Sequence, residues 1–147
     1  MAAQLCIEDY WEFQADVRVN TVNCVGVMGA GIAKEFKARY PEMFHDYYRA
    51  CRDNRLQPGG IHVWEDKIIN VATKDHWRQP SKYEWIEQGV RAIGEYLEGL
   101  AREGKIVSVA LPAMGCANGG LAFPKVSTIV FAGFANQPHD IRLFPPL

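Results

Sequence analysis

Apolar and polar positions along this chain follow two different periods. Trp85, Ile86, Val90, Ile93 and Leu97 recur at helical spacing, with Glu84, Glu87, Arg91 and Glu95 between them. This is the apolar stripe of an amphipathic helix over residues 82–103. Ser81 stands where an N-cap belongs and Glu84 follows three residues later, the signature of a capping box. Helices are also expected over 31–40, 41–54 and 124–135, the second opened by Pro41, whose missing N–H does no harm in a first turn. Short apolar runs rich in β-branched residues, bounded by Gly, Pro or Asn, read as strands. They fall at 5–8, 17–22, 61–64, 67–72, 106–111 and 141–144, with 106–111 expected to be buried. Arg55-Leu56-Gln57-Pro58-Gly59-Gly60 ends the second helix and turns the chain into a hairpin. Strands alternating with helices predict an α/β fold of three layers, α/β/α, around a central mixed, mostly parallel sheet built by residues 1–147 as one domain.

Composition changes this picture little. A chain of 147 residues, 48% hydrophobic and 22% charged, can bury a real core and lies in the ordinary globular range. A net charge of −1 argues against a globally basic nucleic-acid surface, while a local basic patch stays open. The start, Met1-Ala2-Ala3-Gln4-Leu5-Cys6, is too short for a signal peptide and lacks its charged flank. No apolar run approaches membrane-spanning length, so a cytoplasmic location without a membrane partner is expected. Cys6, Cys24, Cys51 and Cys116 show no metal-ligand spacing. Neither a metal nor another cofactor is expected, and the thiols should be free.

The candidate chemistry lies in two glycine-rich turns, each following a strand. Val19-Asn20-Thr21-Val22-Asn23 runs into Cys24-Val25-Gly26-Val27-Met28-Gly29-Ala30-Gly31, and a helix starts at once with Ile32-Ala33. The spacing is neither the dinucleotide fingerprint nor a P-loop. It still places backbone N–H groups and the positive end of a helix dipole at one point, which suits an anion. The second turn, Pro112-Ala113-Met114-Gly115-Cys116-Ala117-Asn118-Gly119-Gly120-Leu121, follows the strand at 106–111. Side by side at the carboxyl edge of a sheet, where open α/β sheets bind ligands, the two turns can hold a diphosphate from both sides. Cys24 and Cys116, in or beside these turns, read as small half-buried fillers rather than nucleophiles.

Several separated motifs in this order resemble the macro domain, an ADP-ribose-binding family. They are Asn20-Thr21-Val22-Asn23, the turn from Gly26 to Ala33 and the turn from Pro112 to Leu121, with Asp9 eleven residues before Asn20. The stretches 25–34, 36–41 and Ala72-Thr73-Lys74-Asp75-His76-Trp77-Arg78 are similar to the branch that removes terminal ADP-ribose, and within it to the antitoxins that act on DNA. The resemblance implies that Asp9 meets the adenine amine, although Glu8 replaces the glycine usual before it. Asn23 would lie at the distal ribose, though an asparagine there can also merely cap the turn. The first loop (Gly29, Ala30, Gly31, Ile32, Ala33) and the second (Pro112, Gly115, Cys116, Ala117, Asn118, Gly119, Gly120, Leu121) would hold the diphosphate.

The resemblance also assigns catalysis to Lys74, at the end of an apolar strand. Such a lysine works best when desolvation or a nearby cation lowers its pKa. It can attack the anomeric carbon or the opened aldehyde, or stay charged and stabilise the departing group. The plain alternative is a solvated strand-end lysine. Protein-directed members of the branch carry an aspartate in the second loop. Here that position is Gly119, and no acid occurs from Val107 to Val130. The reaction then depends on Lys74 with help from His76, the ligand or water. His76, Trp77 and Arg78 can form a wall against an extruded nucleotide. His45, His62 and His139 suggest no site, and Arg49, Arg52 and Arg55 read as a solvated face.

The expected function is that of a hydrolase cleaving the N-glycosidic bond between ADP-ribose and DNA, of antitoxin or counter-defence type. Its partners would be ADP-ribose, ADP-ribosylated DNA and a cognate ADP-ribosyltransferase toxin. A non-catalytic ADP-ribose reader, an ADP-ribose 1″-phosphate phosphatase and a protein de-ADP-ribosylase remain open alternatives.

Overall fold

The faces of two central strands decide the architecture. In β2 (Val17–Val22), Val17 and Val19 point to one side and Asn20 and Val22 to the other; in β4 (Ile68–Ala72), Ile69 and Val71 oppose Ile68, Asn70 and Ala72. Both faces are buried, as strands of a covered parallel sheet require. The computed structural model describes residues 3–146. Its sheet adds β1 (Gln4–Leu5), β3 (Ile61–Trp64), β5 (Ser108–Leu111) and β6 (Asp140–Leu143) in the order β1-β6-β5-β2-β4-β3. Every pairing is parallel except β3 with β4. That pair forms a hairpin closed by Glu65 and Asp66, both at positive φ.

Helices α1 (Gly31–Arg39) and α2 (Pro41–Arg52) cover one face, where Phe36, Met43, Tyr47 and Cys51 pack on Val22, Ile68 and Ala72. The other face is covered by α3 (Tyr83–Arg102) and α4 (Phe123–Gly133). There Ile86, Val90, Ile93 and Leu97 of α3 and Val126 and Val130 of α4 meet Val19, Val71, Val109 and Leu143. Gly89 lets α3 sit close to the sheet, since a Cβ there would lie 2.6 Å from Val71 Cγ2. The expected three layers and mixed, mostly parallel sheet are therefore present.

A chain of polar groups runs through the α1/α2 side of the core. Asn20 and Asn70 face each other across β2 and β4, and Asn20 Nδ2 donates to Asn70 Oδ1 (2.9 Å). Asn70 Nδ2 donates to His62 Nδ1 (3.0 Å). That leaves His62 Nε2–H to donate to Asp46 Oδ2 (2.7 Å), so the hydrogen bonds set a neutral imidazole of one tautomer. The His62 bond, helped by Arg49, holds the Asp46 carboxyl below the usual carboxylate range against partial desolvation. His139, fully buried, accepts from Val107 N–H and donates to Leu97 O. Both histidines serve the fold.

Three sequence expectations need correction. β1 is a two-residue strand ending at Leu5 rather than a strand over 5–8, and Ile7 is 89% exposed. After Cys6 N–H bonds Leu143 O, the chain leaves the sheet to turn at Asp9, which lets Tyr10 pack under β2 and β5. β5 begins at Ser108, and Ile106 is 61% exposed, because Asp16 takes over the pairing by accepting from Ser108 N–H (2.9 Å). Ser81 is no helix cap: α3 starts at Tyr83 with Lys82 in the cap position and no side-chain cap. Ser81 is instead buried and committed to the second glycine turn.

Candidate functional site

Because β5, β2 and β4 are adjacent and parallel, the loops that follow them emerge together at one sheet edge. These are residues 23–30, 73–82 and 112–122. The first is shaped by Asn23. Its Oδ1 accepts from Val25 N–H and Val27 N–H, and its Nδ2 donates to Val27 O (2.9 Å). Tyr47 of α2 clamps the same residue, its hydroxyl donating to Asn23 O (2.7 Å). Burial raises the Tyr47 pKa and so preserves that donor. Asn23 is thus buried and occupied with the turn, in line with its capping role, with one amide hydrogen left over.

Beyond this clamp the backbone donors are unused. Among the described residues, the N–H groups of Gly29, Ala30, Gly31, Ile32 and Ala33 make no hydrogen bond. No side chain caps α1, and its first turn holds no acid. Gly31 has φ +57, and a Cβ there would meet nothing within 4 Å. In the second loop the N–H groups of Gly115, Ala117, Asn118 and Gly119 are likewise unbonded among the described residues. The loop is closed by Leu121 N–H to Gly115 O (2.9 Å), and Gly115 itself takes φ +76. Pro112 is buried, Cys116 and Leu121 are half-buried, and Ala117, Asn118 and Gly120 are exposed. Two rows of free donors at a sheet edge, one on a helix N-terminus, form a ready site for a polyanion.

The loop after β4 ties these two together. Thr73 N–H donates to Val22 O and Cys24 N–H to Asp75 O (2.9 Å) on one side; Ser81 N–H donates to Gly119 O (3.0 Å) on the other. Lys74 lies between them. Its Nζ donates to Asn118 O (3.0 Å) and Trp77 O (3.3 Å), and no carboxylate pairs with it among the described residues. Desolvation lowers the Lys74 pKa, which makes the free amine more accessible. His76 Nδ1 accepts from Arg78 N–H (3.1 Å), leaving Nε2 as the edge of the ring able to meet a ligand. Its ring lies against the half-exposed Trp77 at 5.3 Å.

Asp9 lies off the same sheet edge, in the turn that follows β1. One oxygen accepts from Trp11 N–H (2.9 Å), and the other makes no hydrogen bond among the described residues. The two thiols at the glycine turns are held in the neutral form: burial, with Asp75 and Cys51 nearby, pushes Cys24 up to about 12, and burial raises Cys116. No group of three or more His, Cys, Asp or Glu among the described residues could hold a metal ion, and no helix is long and apolar enough to cross a membrane. Sequence reasoning missed two residues that shape the site. Ser81 was legible only as a serine before a helix, and Tyr47 only as a core aromatic.

The family model described as Macro domain matches residues 19–130. The chain is 40% identical over 146 residues to a DNA ADP-ribosyl glycohydrolase of Mycobacterium tuberculosis, covering 94% of this chain and 40% of that protein. It is 38% identical over 122 residues to the protein of the same description from Thermus aquaticus, covering 78% of this chain and 33% of that one. It thus spans 40% or less of these curated relatives. The macrodomain of Mycobacterium tuberculosis DarG superposes with a TM-score of 0.86 at 35% identity, covering 99% of this chain and 97% of that chain. Thermosipho africanus DarTG in complex with ADP-ribose gives 0.80 at 27% identity, covering 95% and 40%. Fold, paired glycine turns and sequence agree: the chain belongs to the macro domain family.

Proposed function

We propose that this chain is a cytoplasmic ADP-ribosyl glycohydrolase that frees DNA from ADP-ribose, the counterpart of an ADP-ribosyltransferase toxin. The observation that carries the reading is the arrangement of Lys74 between two rows of unbonded backbone N–H groups. A diphosphate gripped by those rows presents its terminal ribose to Lys74, a cationic side chain that bridges two of the loops. The names of the relatives at 38–40% identity support this activity, and a fused transferase and glycohydrolase from Thermosipho africanus supports the partner. Four free cysteines suit a reducing compartment.

In the proposed reaction the neutral Lys74 amine attacks the anomeric carbon. A carbon–nitrogen bond forms there while the bond to the base breaks, and the base leaves with the electron pair and takes up the proton that the amine sheds. Water then displaces the lysine, giving free ADP-ribose and restoring the amine. One water is consumed. Proton movement is assigned to His76 Nε2, which Arg78 N–H leaves unoccupied, since the second loop has no acid. Initial rates on ADP-ribosylated single-stranded DNA and on glutamate-modified protein at matched concentration test the reading. The DNA substrate is expected to be faster; faster turnover of the protein substrate would reverse the assignment.

The missing aspartate cannot simply be restored. At Gly119 a Cβ would lie 2.4 Å from Ser81 Oγ and 2.5 Å from Gly115 O, the latter backbone. Gly119→Asp is therefore expected to displace the loop, losing about tenfold or more in ADP-ribose affinity, about 1.4 kcal/mol, without gaining activity on modified protein. Calorimetry and turnover on the same variant check this.

A further inference from the structure

Three cations border the second glycine loop without a carboxylate partner. Arg78 lies over Trp77 (4.7 Å to the ring centroid), Lys82 over Trp85 (4.9 Å) and Lys125 over Tyr83 (4.2 Å). None of them joins an ion pair among the described residues, whereas Arg49, Arg52, Arg55, Lys105 and Arg142 each sit against an aspartate or glutamate. All three are exposed, and the ring under each holds the charge in place without cancelling it.

They follow one another around the rim. Arg78 shares the loop of Lys74. Ser81 is bonded to Gly119, Lys82 comes next, and the Tyr83 hydroxyl accepts from Ala122 N–H (3.0 Å), immediately before α4. Lys125 stands in the first turn of α4, and Lys82 in the cap position of α3, so both helix dipoles add to the positive field. Glu84 is the only acid between residues 76 and 86.

We propose that Arg78, Lys82 and Lys125 form a track for the phosphate backbone of the single strand that carries the modified base, leading away from Lys74. This rests on the DNA reading above. A chain of net charge −1 offers little general attraction to a polyanion, so unpaired cations in sequence beside the site are what a strand would follow. Cations spaced along a rim with aromatic rings between them match the way flexible single strands are held.

The test uses a Lys82→Gln/Lys125→Gln double variant and two substrates. One is an ADP-ribosylated single-stranded oligonucleotide of about ten nucleotides, within the usual site size. The other is the ADP-ribosylated nucleoside, which has no backbone phosphate. Salt is raised from about 50 to about 200 mM. On the oligonucleotide the double variant is expected to show a KM raised about tenfold at low salt. Its log–log salt slope should be smaller by about 1.4, because two phosphates of a single strand are no longer neutralised. On the nucleoside, KM and kcat should match the parent, and a Lys82→Arg/Lys125→Arg variant should restore the slope. An unchanged oligonucleotide KM and slope overturns the track, as does an equal loss on both substrates, which would place the lysines in the site itself. If the parent releases ADP-ribose from neither substrate, the DNA reading fails instead. The track is then judged by anisotropy of an unmodified fluorescein-labelled oligonucleotide: weaker binding by the double variant supports it, and equal binding overturns it.

Discussion

Lys74→Ala is expected to lose about a thousandfold or more in turnover, about 4 kcal/mol in the barrier, while holding ADP-ribose within about tenfold of the parent affinity. The split follows from where the groups sit. Ground-state binding falls to the backbone donors of the two glycine loops, and Lys74 acts on the reacting carbon. Turnover and calorimetry on one preparation decide the matter, and near-parental turnover would return Lys74 to the role of a solvated lysine. Lys74→Arg should be as inactive as alanine, because a guanidinium stays charged. The pH profile carries the sign of the mechanism. Burial lowers the Lys74 pKa, so the parent kcat should rise with pH and level off below the ordinary lysine value of 10.5. A charged lysine acting only as an electrostatic stabiliser would give the opposite trend, activity falling as pH rises through that range.

Gly31→Glu is expected to abolish ADP-ribose binding, a loss of about a hundredfold or more, about 2.7 kcal/mol. Gly31 opens α1 among five unbonded N–H groups, and space beside it is empty of protein atoms within 4 Å of a Cβ. A glutamate fits without a clash and brings negative charge to the anion site. Its positive φ strains any side chain by about 1–2 kcal/mol, a cost that falls at the start of one helix. Gly31→Asn, which tolerates that φ and carries no charge, should bind within about tenfold of the parent and separates strain from repulsion. Parental affinity in a folded Gly31→Glu protein would remove the diphosphate from this loop.

Most of the fold could be read along the chain, for a physical reason. Residues 83–102 repeat at the helical period and bury the face that it marks, and the apolar run 68–72 is buried throughout, as a covered central strand requires. The failures lie where a residue answers to a distant partner. Ser81 carries the pattern of a cap, yet its N–H serves Gly119. Ile106 is apolar, yet the strand starts only where Asp16 meets Ser108. At the site, the glycine turns stood out because each follows its strand directly in sequence, whereas Lys74 was singled out only by the resemblance to the family. One of the two acceptors of Lys74 is a carbonyl 44 residues away, and no local pattern announces it. Asn23 shows the same limit from the other side: its place was legible, while its engagement by Tyr47, 24 residues on, was not.

The run of polar groups from Asn20 to Asp46 has a consequence for how the chain finds its register. Each link donates in one direction, from Asn20 through Asn70 and His62 to a surface carboxylate. Were β4 to slip by one residue against β2, Asn70 would turn to the opposite face and meet aliphatic side chains of α3. Asn20 Nδ2 would then lose its acceptor and His62 Nδ1 its donor, at about 1–3 kcal/mol for each unsatisfied group, while His62 kept only its bond to Asp46. Valine and isoleucine at the neighbouring positions would tolerate such a slip with little penalty, since they pack almost equally well one step along. The two asparagines thus act as a vernier. They add little to the depth of the native minimum, but they raise the misaligned pairings above it, and the three ligand-side loops inherit their common level from that alignment.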